Sequence, residues 1–523
     1  MNSFKRKALT CAVLAGLGGI ATTAEAVYLN PNGTGQVLIY PYYTVNSSGG
    51  NSFNTYISVT NTTTQAKATK VRFREGRTSA EVLDFNLYLS PNDVWVGALG
   101  PDTSSADSAA RLFGNFETSC TYPVIPPGGQ AFTNIAYTTG NDALPGTGLD
   151  RTREGYVEIF DMATLIGALA TAVTHTVIGG PPPNCSAVRT DLTLSTNLTS
   201  PTGGMYGEAT IINVTNGAAV GYKADALEAY RSNNFYSDVS ATTPLLGASA
   251  APVSLVLANN RAVTDLWGSV AGEAPAGAKA VAAVFMHTQI MNDYVLDIGT
   301  RSNTDWVVTF PGKNEFYPAL TPVSPYTAIL TTNGACETAV FTFFDRDEFS
   351  ANPPTTGFSP QQPGAAPNTG SLCWESTVLS IRNSQAFTSA SDISTSNPRS
   401  GVLGSRNVLA VAQTNPSFNA GWINLTFTGA NATGATAGLL SASGGHLNPV
   451  DAAAGAFNTG GGATGTLTAP TTHRFFGLPV TGFMVDSRAN AAIACTLSSG
   501  AAGSCSGNYM TLFRHSYRTL IAP

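Results

Sequence analysis

Charge is scarce in this chain: only 11% of its 523 residues are Asp, Glu, Lys or Arg. Histidine is scarcer, with His175, His287, His446, His473 and His515 spread so widely that the nearest pair, His446 and His473, lies 27 positions apart. No zincin HExxH, nucleophile-elbow GxSxG or SxxK pattern occurs, so the local signatures of three hydrolase classes are missing. Lysine stops at Lys313, which removes a Lys–Asn isopeptide crosslink from the second half. No CxxC pair is found, which disfavours redox or structural-zinc chemistry. Beyond the first residues, no stretch reaches the roughly 18 apolar residues of a membrane helix.

What is present begins with a secretory signal. Lys5, Arg6 and Lys7 precede an apolar run from Ala8 to Ile20, and Ala24-Glu25-Ala26 has the small-x-small form that signal peptidase cuts. Residues 1–26 are therefore expected to be a signal peptide. Its removal takes away three bases and one acid, moving the net charge from −6 to −8. Mild acidity argues against nucleic acid as a partner. Six cysteines remain: Cys120, Cys185, Cys336, Cys373, Cys495 and Cys505. An even count in an exported chain points to disulfides, and six cysteines allow about fifteen pairings. The simplest is sequential, Cys120–Cys185, Cys336–Cys373 and Cys495–Cys505.

Period-two patterning dominates. Ile57 and Val59 oppose Tyr56, Ser58 and Thr60; Val71 and Phe73 oppose Lys70, Arg72 and Arg74; Leu83, Phe85, Leu87 and Leu89 line one face of the next run. Three such runs predict antiparallel strands with one buried and one wet face. Further strands are expected at GQVLIYPYYTV, EGYVEIFDM, GEATIINVT, TDWVVTFP, YTAILTT, TAVFTFF, WESTVLSIRN and AGWINLTFTG. Helical spacing is weaker, with candidates at 105–116, 162–173, 223–232 and 276–291. Together these predict a mainly β protein of antiparallel, Ig-like β-sandwich modules with a few inserted helices. A domain boundary is expected near residue 320, giving parts 27–320 and 321–523. The second part carries a Pro-rich insertion at 352–370 and a Gly/Ala-rich one at 428–470.

Candidate sites are few. The basic edge Lys70, Arg72 and Arg74 is read as solvent-facing, paired across strands with Asp84, and Arg72 and Arg74 are weak candidates for a binding or assembly role. Tyr42 and Tyr43, in YPYY, are expected at an edge-strand contact. Asp345, Asp347 and Glu348 are a weak oxygen-ligand set for Ca²⁺, the one cofactor considered. A salt-bridged strand end is the plainer account of them. GGGATG at 460–465 matches GxGxxG without the strand and helix a phosphate cradle needs. Trp306 shares a face with Val308 and Phe310, the pattern of core packing.

The runs YISVTNTTTQAKATKVRFREG, EVLDFNLYLSPNDVW, EGYVEIFDM, TDWVVTFPGK, LCWES and GLPVTGF resemble a group of exported proteobacterial proteins, described only as hypothetical or cell-surface proteins. That resemblance implies a Gram-negative exported protein and no established activity. The expected function is non-catalytic: a secreted or surface component of an envelope or matrix, with self-association or other envelope proteins as partners. The first alternative is an extracellular binder of a carbohydrate or hydrophobic ligand through exposed aromatics. The second is a hydrolase with a scattered site, such as Asp84 or Asp161 with a distant His; a deep pocket holding His287 or His515 beside a carboxylate would count against the structural reading.

Overall fold

A computed structural model of the chain describes residues 26–48, 51–102, 108–114, 117–258, 261–297, 300, 302–317, 321–347, 350–351, 369–383, 399–413, 418–427, 439–441, 473–496 and 502–522. The signal segment and most of both insertions lie outside them.

In the first half the main strands are β1 (Val37–Thr44), β2 (Asn54–Asn61), β3 (Ala66–Glu75), β4 (Glu81–Leu89), β5 (Val94–Pro101), β6 (Glu154–Leu165), β7 (Met205–Asn213) and β8 (Ala218–Lys223). An antiparallel eight-stranded sheet sets β1, β6, β3 and β4 side by side, with short strands filling its edges. A six-stranded sheet runs β5, β2, β7, β8, continued past β5 by Ala110–Phe113 and Gln130–Ala131. Leu38, Tyr40, Ile57, Val59, Val71, Phe73 and Trp95 form the core that joins these two sheets. This is the expected sandwich. Consecutive strands β2 and β3 belong to different sheets, so the polar turn between them crosses from one layer to the other.

The second half contributes β9 (Gln289–Val295), β10 (Asn303–Thr309), β11 (Glu337–Asp345), β12 (Ser376–Asn383), β13 (Val408–Gln413), β14 (Ala420–Phe427), β15 (Thr481–Thr496) and β16 (Ala502–Arg514). One sheet has β11, β14 and β9 at its centre; the other runs β13, β12, β10, β15, β16, with β12 and β13 parallel. Trp306, Phe341, Leu379, Leu425 and Met484 pack between them.

The division expected near residue 320 cuts through both of these sheets. β9 pairs with β14, and β10 pairs with β12 and β15, although both precede residue 320. Val307, Val378 and Phe483, on the opposite side of the five-stranded sheet, join the core of the first sandwich. Hydrophobic burial on both faces explains why WVVTF reads as a continuous apolar run.

The same double burial overturns the expected wet face of β3. β2 alternates between buried and accessible positions as expected, but all ten residues of β3 are buried. Lys70, Arg72 and Arg74 share the face of Ala66 and Ala68, which packs in the second core. That face lies under the chain from Ser237 to Pro244, and Asp238 O accepts from Lys70 Nζ at 2.8 Å.

Two of the four helical windows form helices, α1 (Gly167–Val173) and α2 (Ala276–Phe285). Ala110–Phe113 and Asp225–Glu228 are strands instead, paired to β5 and β1. Ala229, at φ +51°, ends the second of these, and sheet-edge hydrogen bonds outweigh a weak helical pattern there. Of YTAILTT, only a bridge between Thr331 and Gly334 is made.

Disulfides join Cys120 to Cys185 and Cys336 to Cys373. The Cys495–Cys505 pairing falls on side chains outside the described residues. Among the described residues, no helix is long and apolar enough to cross a membrane.

Candidate functional site

The turn joining β3 to β4 is organised by one carboxylate. Glu75 accepts the N–H groups of Arg77 (2.9 Å), Thr78 (2.8 Å) and Ala80 (3.2 Å). Arg151 closes on it through Nε (3.0 Å) and Nη2 (2.7 Å). Backbone wrapped around a buried anion leaves the turn little freedom. Ser79 is held at φ +58°, sparsely populated by residues with a Cβ.

That turn reaches into the second half. Arg77 Nε donates to Asn407 Oδ1 at 3.1 Å, and its guanidinium lies over Trp374, 5.3 Å from the ring centroid. Ser376 N donates to Gly76 O at 2.8 Å. Tyr156 OH donates to Ser79 Oγ at 2.7 Å, and Ser79 Oγ donates in turn to the Glu375 carboxyl.

A cavity of about 390 Å³ opens where these elements meet, lined by Arg74, Arg77, Ser79, Lys313, Tyr317 and Glu375 among others. Gly312 adopts the left-handed conformation at φ +70°, allowing the tight turn that delivers Lys313 to the wall. Lys313 Nζ donates to Ala335 O at 2.8 Å. The rings of Phe310, Tyr326 and Tyr317 stand 5.3, 5.4 and 5.9 Å from it. The Cys336–Cys373 bridge fixes the walls, since Ala335 N donates to Cys373 O at 3.0 Å two residues before Glu375.

Burial sets the electrostatics. It lowers the Lys313 pKa, against the opposing charges of Glu337 and Glu375. It raises Glu375 to about 8, despite the Ser79 hydrogen bond and Lys313, with Glu75 and Asp142 pushing the same way. The wall thus offers an amine eased toward its neutral form and a carboxyl that is protonated at neutral pH.

The expected site residues lie elsewhere or serve the fold. Arg72 donates to Thr242 O (2.9 Å), Ala241 O (3.3 Å), Thr243 O (3.3 Å) and Pro244 O, and its Nε lies 2.6 Å from Glu81. It holds a loop in place. Arg74 pairs with Glu158 at 3.2 Å while also lining the cavity. Lys70 takes the cross-strand Asp84 partner at 2.9 Å. Tyr42 and Tyr43 are wholly buried, donating to Glu154 (2.8 Å) and Thr152 O (3.0 Å), so they form no edge contact. Asp345 Oδ1 accepts the Asp347 N–H at 2.9 Å in a local turn, and Glu348 is outside the described residues. Among the described residues, no cluster of three His, Cys, Asp or Glu is placed to hold a metal.

Among the described residues, no histidine lines the cavity. Burial pushes His287, stacked 4.1 Å from Tyr517, down to about 3. His515, bonded to Val307 O at 2.9 Å, is pushed down to about 4. His175 meets Ser90 Oγ at 2.6 Å and Asp93 at 3.9 Å, but both approach Nδ1, and Ser90 Oγ donates to Val173 O at 2.8 Å. The hydroxyl opposite Asp93 is that of Thr118, 3.1 Å from Nε2, and Asp93, at 3.9 Å, is beyond the hydrogen-bond reach that orients the base of a nucleophilic relay. Asp161 is held by Lys67 at 2.7 Å.

The signal that sequence offered for the cavity was faint: Lys313 is the last lysine of the chain, and Glu375 sits in LCWES beside a paired cysteine. Searches found no matching protein-family model, curated protein or solved structure.

Proposed function

We propose that this is an exported binding protein that holds a small polar molecule in the cavity between its two sandwiches. The observation that carries the reading is the cavity itself: about 390 Å³ at the junction of the two halves, with charged, hydroxyl and aromatic side chains converging. Ligand sites favour such junctions and volumes of roughly 300–1,000 Å³. The binding surface is an internal wall, in place of the exposed tyrosines and tryptophans first considered.

The test is a thermal-shift screen of neutral sugars, small carboxylates and small carbonyl compounds. At least one class raises the melting temperature, and Ala136→Trp, which fills the mouth without touching the ion pairs, abolishes the rise. No shift from any class sinks the reading. Export is tested separately: N-terminal sequencing of the secreted protein begins at Val27. Val27 is the first buried residue among those described, its N–H bonded to Val253 O at 2.8 Å.

A second reading is a structural or adhesive role at a Gram-negative cell surface. Tyr509 and Phe513 favour it, 62% and 56% exposed on one face of β16. Such aromatic pairs are common at protein contacts. Loss of surface retention or self-association in Tyr509→Ser with Phe513→Ser, at unchanged thermal stability, supports it; unchanged retention and association removes it.

A further inference from the structure

Lys313 differs from the other described lysines in what touches its nitrogen. Lys67, Lys70 and Lys279 are each locked to a carboxylate, at 2.7, 2.9 and 2.7 Å from Asp161, Asp84 and Glu273. Lys223 is exposed at the surface. Lys313 Nζ instead meets a neutral carbonyl and three ring faces, with no carboxylate of the described residues within 4.0 Å. Ring faces return part of the hydration an ammonium loses, but burial is the larger effect and eases the amine toward its neutral form. The same side chain lines the cavity together with the Glu375 carboxyl. Close by, the buried Tyr326 hydroxyl has no hydrogen-bond partner among the described residues.

A desolvated amine on a cavity wall is the arrangement from which lysine attacks carbonyl carbon. We infer that Lys313 captures a small aldehyde or ketone in this cavity as an imine. The Nζ lone pair forms the new bond to the carbonyl carbon, and the C=O π pair moves to oxygen. Both amine protons then leave with that oxygen as water, and the nitrogen lone pair closes the C=N bond. No oxidant or reductant is required. The protonated Glu375 carboxyl is the acid on the same wall able to protonate the departing oxygen and to recover a proton from nitrogen. An anionic 2-oxo acid, which Arg74 and Arg77 would attract, and a neutral sugar-like aldehyde share this reacting carbonyl group.

This rests on the binding reading, and the test separates the two. The full mature protein is incubated at neutral pH with glyoxylate or with glycolaldehyde, each with cyanoborohydride, and mapped by peptide mass spectrometry. Lys313 acquires a carboxymethyl or hydroxyethyl group ahead of exposed Lys223. The better probe tells whether the site selects an anionic or a neutral carbonyl compound. Lys313→Met loses the label. Should that variant fail to fold, Ala136→Trp protects Lys313 in an otherwise wild-type cavity. Label on Lys223 with none on Lys313 overturns the capture. If the probes still raise the melting temperature in that case, binding survives without chemistry; if they do not, both proposals fall for these carbonyl compounds.

Discussion

Arg151 meets Glu75 through two hydrogen bonds, at 3.0 and 2.7 Å, and neither side chain has any exposed surface. Removing one member of a buried pair leaves the other charge without compensation, a loss of about 3–5 kcal/mol. Arg151→Met therefore destabilises the protein by about that amount in urea denaturation. The double variant Arg151→Met with Glu75→Gln recovers part of the loss. Additive losses would show that the two groups act independently.

Acid sensitivity follows from the same pair. Burial pushes the Glu75 carboxyl up, but Arg151 and the N–H groups of Thr78 and Arg77 outweigh it and hold the pKa below the ordinary value. The folded state thus binds this proton less readily than the unfolded one. The contribution of Glu75 is present above the ordinary carboxylate pKa and is lost as pH falls through the lower, folded value. Glu75→Gln flattens that acid limb of the stability curve.

Glu375 works in the opposite direction. Its folded pKa of about 8 lies above the ordinary 4.5. The stability it contributes is full below pH 4.5 and is lost as pH rises through about 8, because the buried carboxyl must then ionise. Glu375→Gln keeps a neutral acceptor for Ser79 and removes this decline. A decline between those limits that is as steep in the variant as in the wild type would place its origin elsewhere.

Arg72 is the position where a surface residue and a buried one respond most differently. Four carbonyls of the 241–244 segment receive its guanidinium. Arg72→Glu turns an acid against those oxygens and unfolds or strongly destabilises the protein, by more than about 3 kcal/mol. Circular dichroism melts of the variant check this; a shift within the few tenths of a kcal/mol usual for exposed sites would contradict the burial.

The Cys336–Cys373 bridge ties Lys313's acceptor, Ala335 O, to the chain bearing Glu375. Replacing both cysteines by Ala costs about 2–4 kcal/mol, because the unfolded chain is no longer held in a closed loop. It also weakens any ligand-dependent thermal shift, because the walls of the cavity lose their tether. Full retention of the ligand shift would separate the bridge from the site.

Much of the architecture was legible along the chain. Alternation in TYISVTN gives a strand with one accessible face, and β2 has it. The strand-rich pattern gives a sandwich, and pairing neighbouring cysteines in order gives both described bridges. Parity along KVRFRE is right as well: Val71 and Phe73 point one way, Lys70, Arg72 and Arg74 the other. Wetness of the second face was wrong, because periodicity reports which residues share a face and carries no information about what covers it.

Sequence by itself therefore determined the local conformation: the strands and their two-sided patterning, set by steric and hydrophobic rules acting over a few residues, whereas the two described bridges close over 65 and 37 positions and need the fold to bring their cysteines together. Tertiary structure decided the rest. Only when the 237–244 segment lies over β3 does a row of basic side chains become a set of buried anchors. Only when β10, β12 and the β3–β4 turn converge do Lys313 and Glu375 share one cavity. Their proton affinities follow from that desolvation, and desolvation is a property of the packed whole.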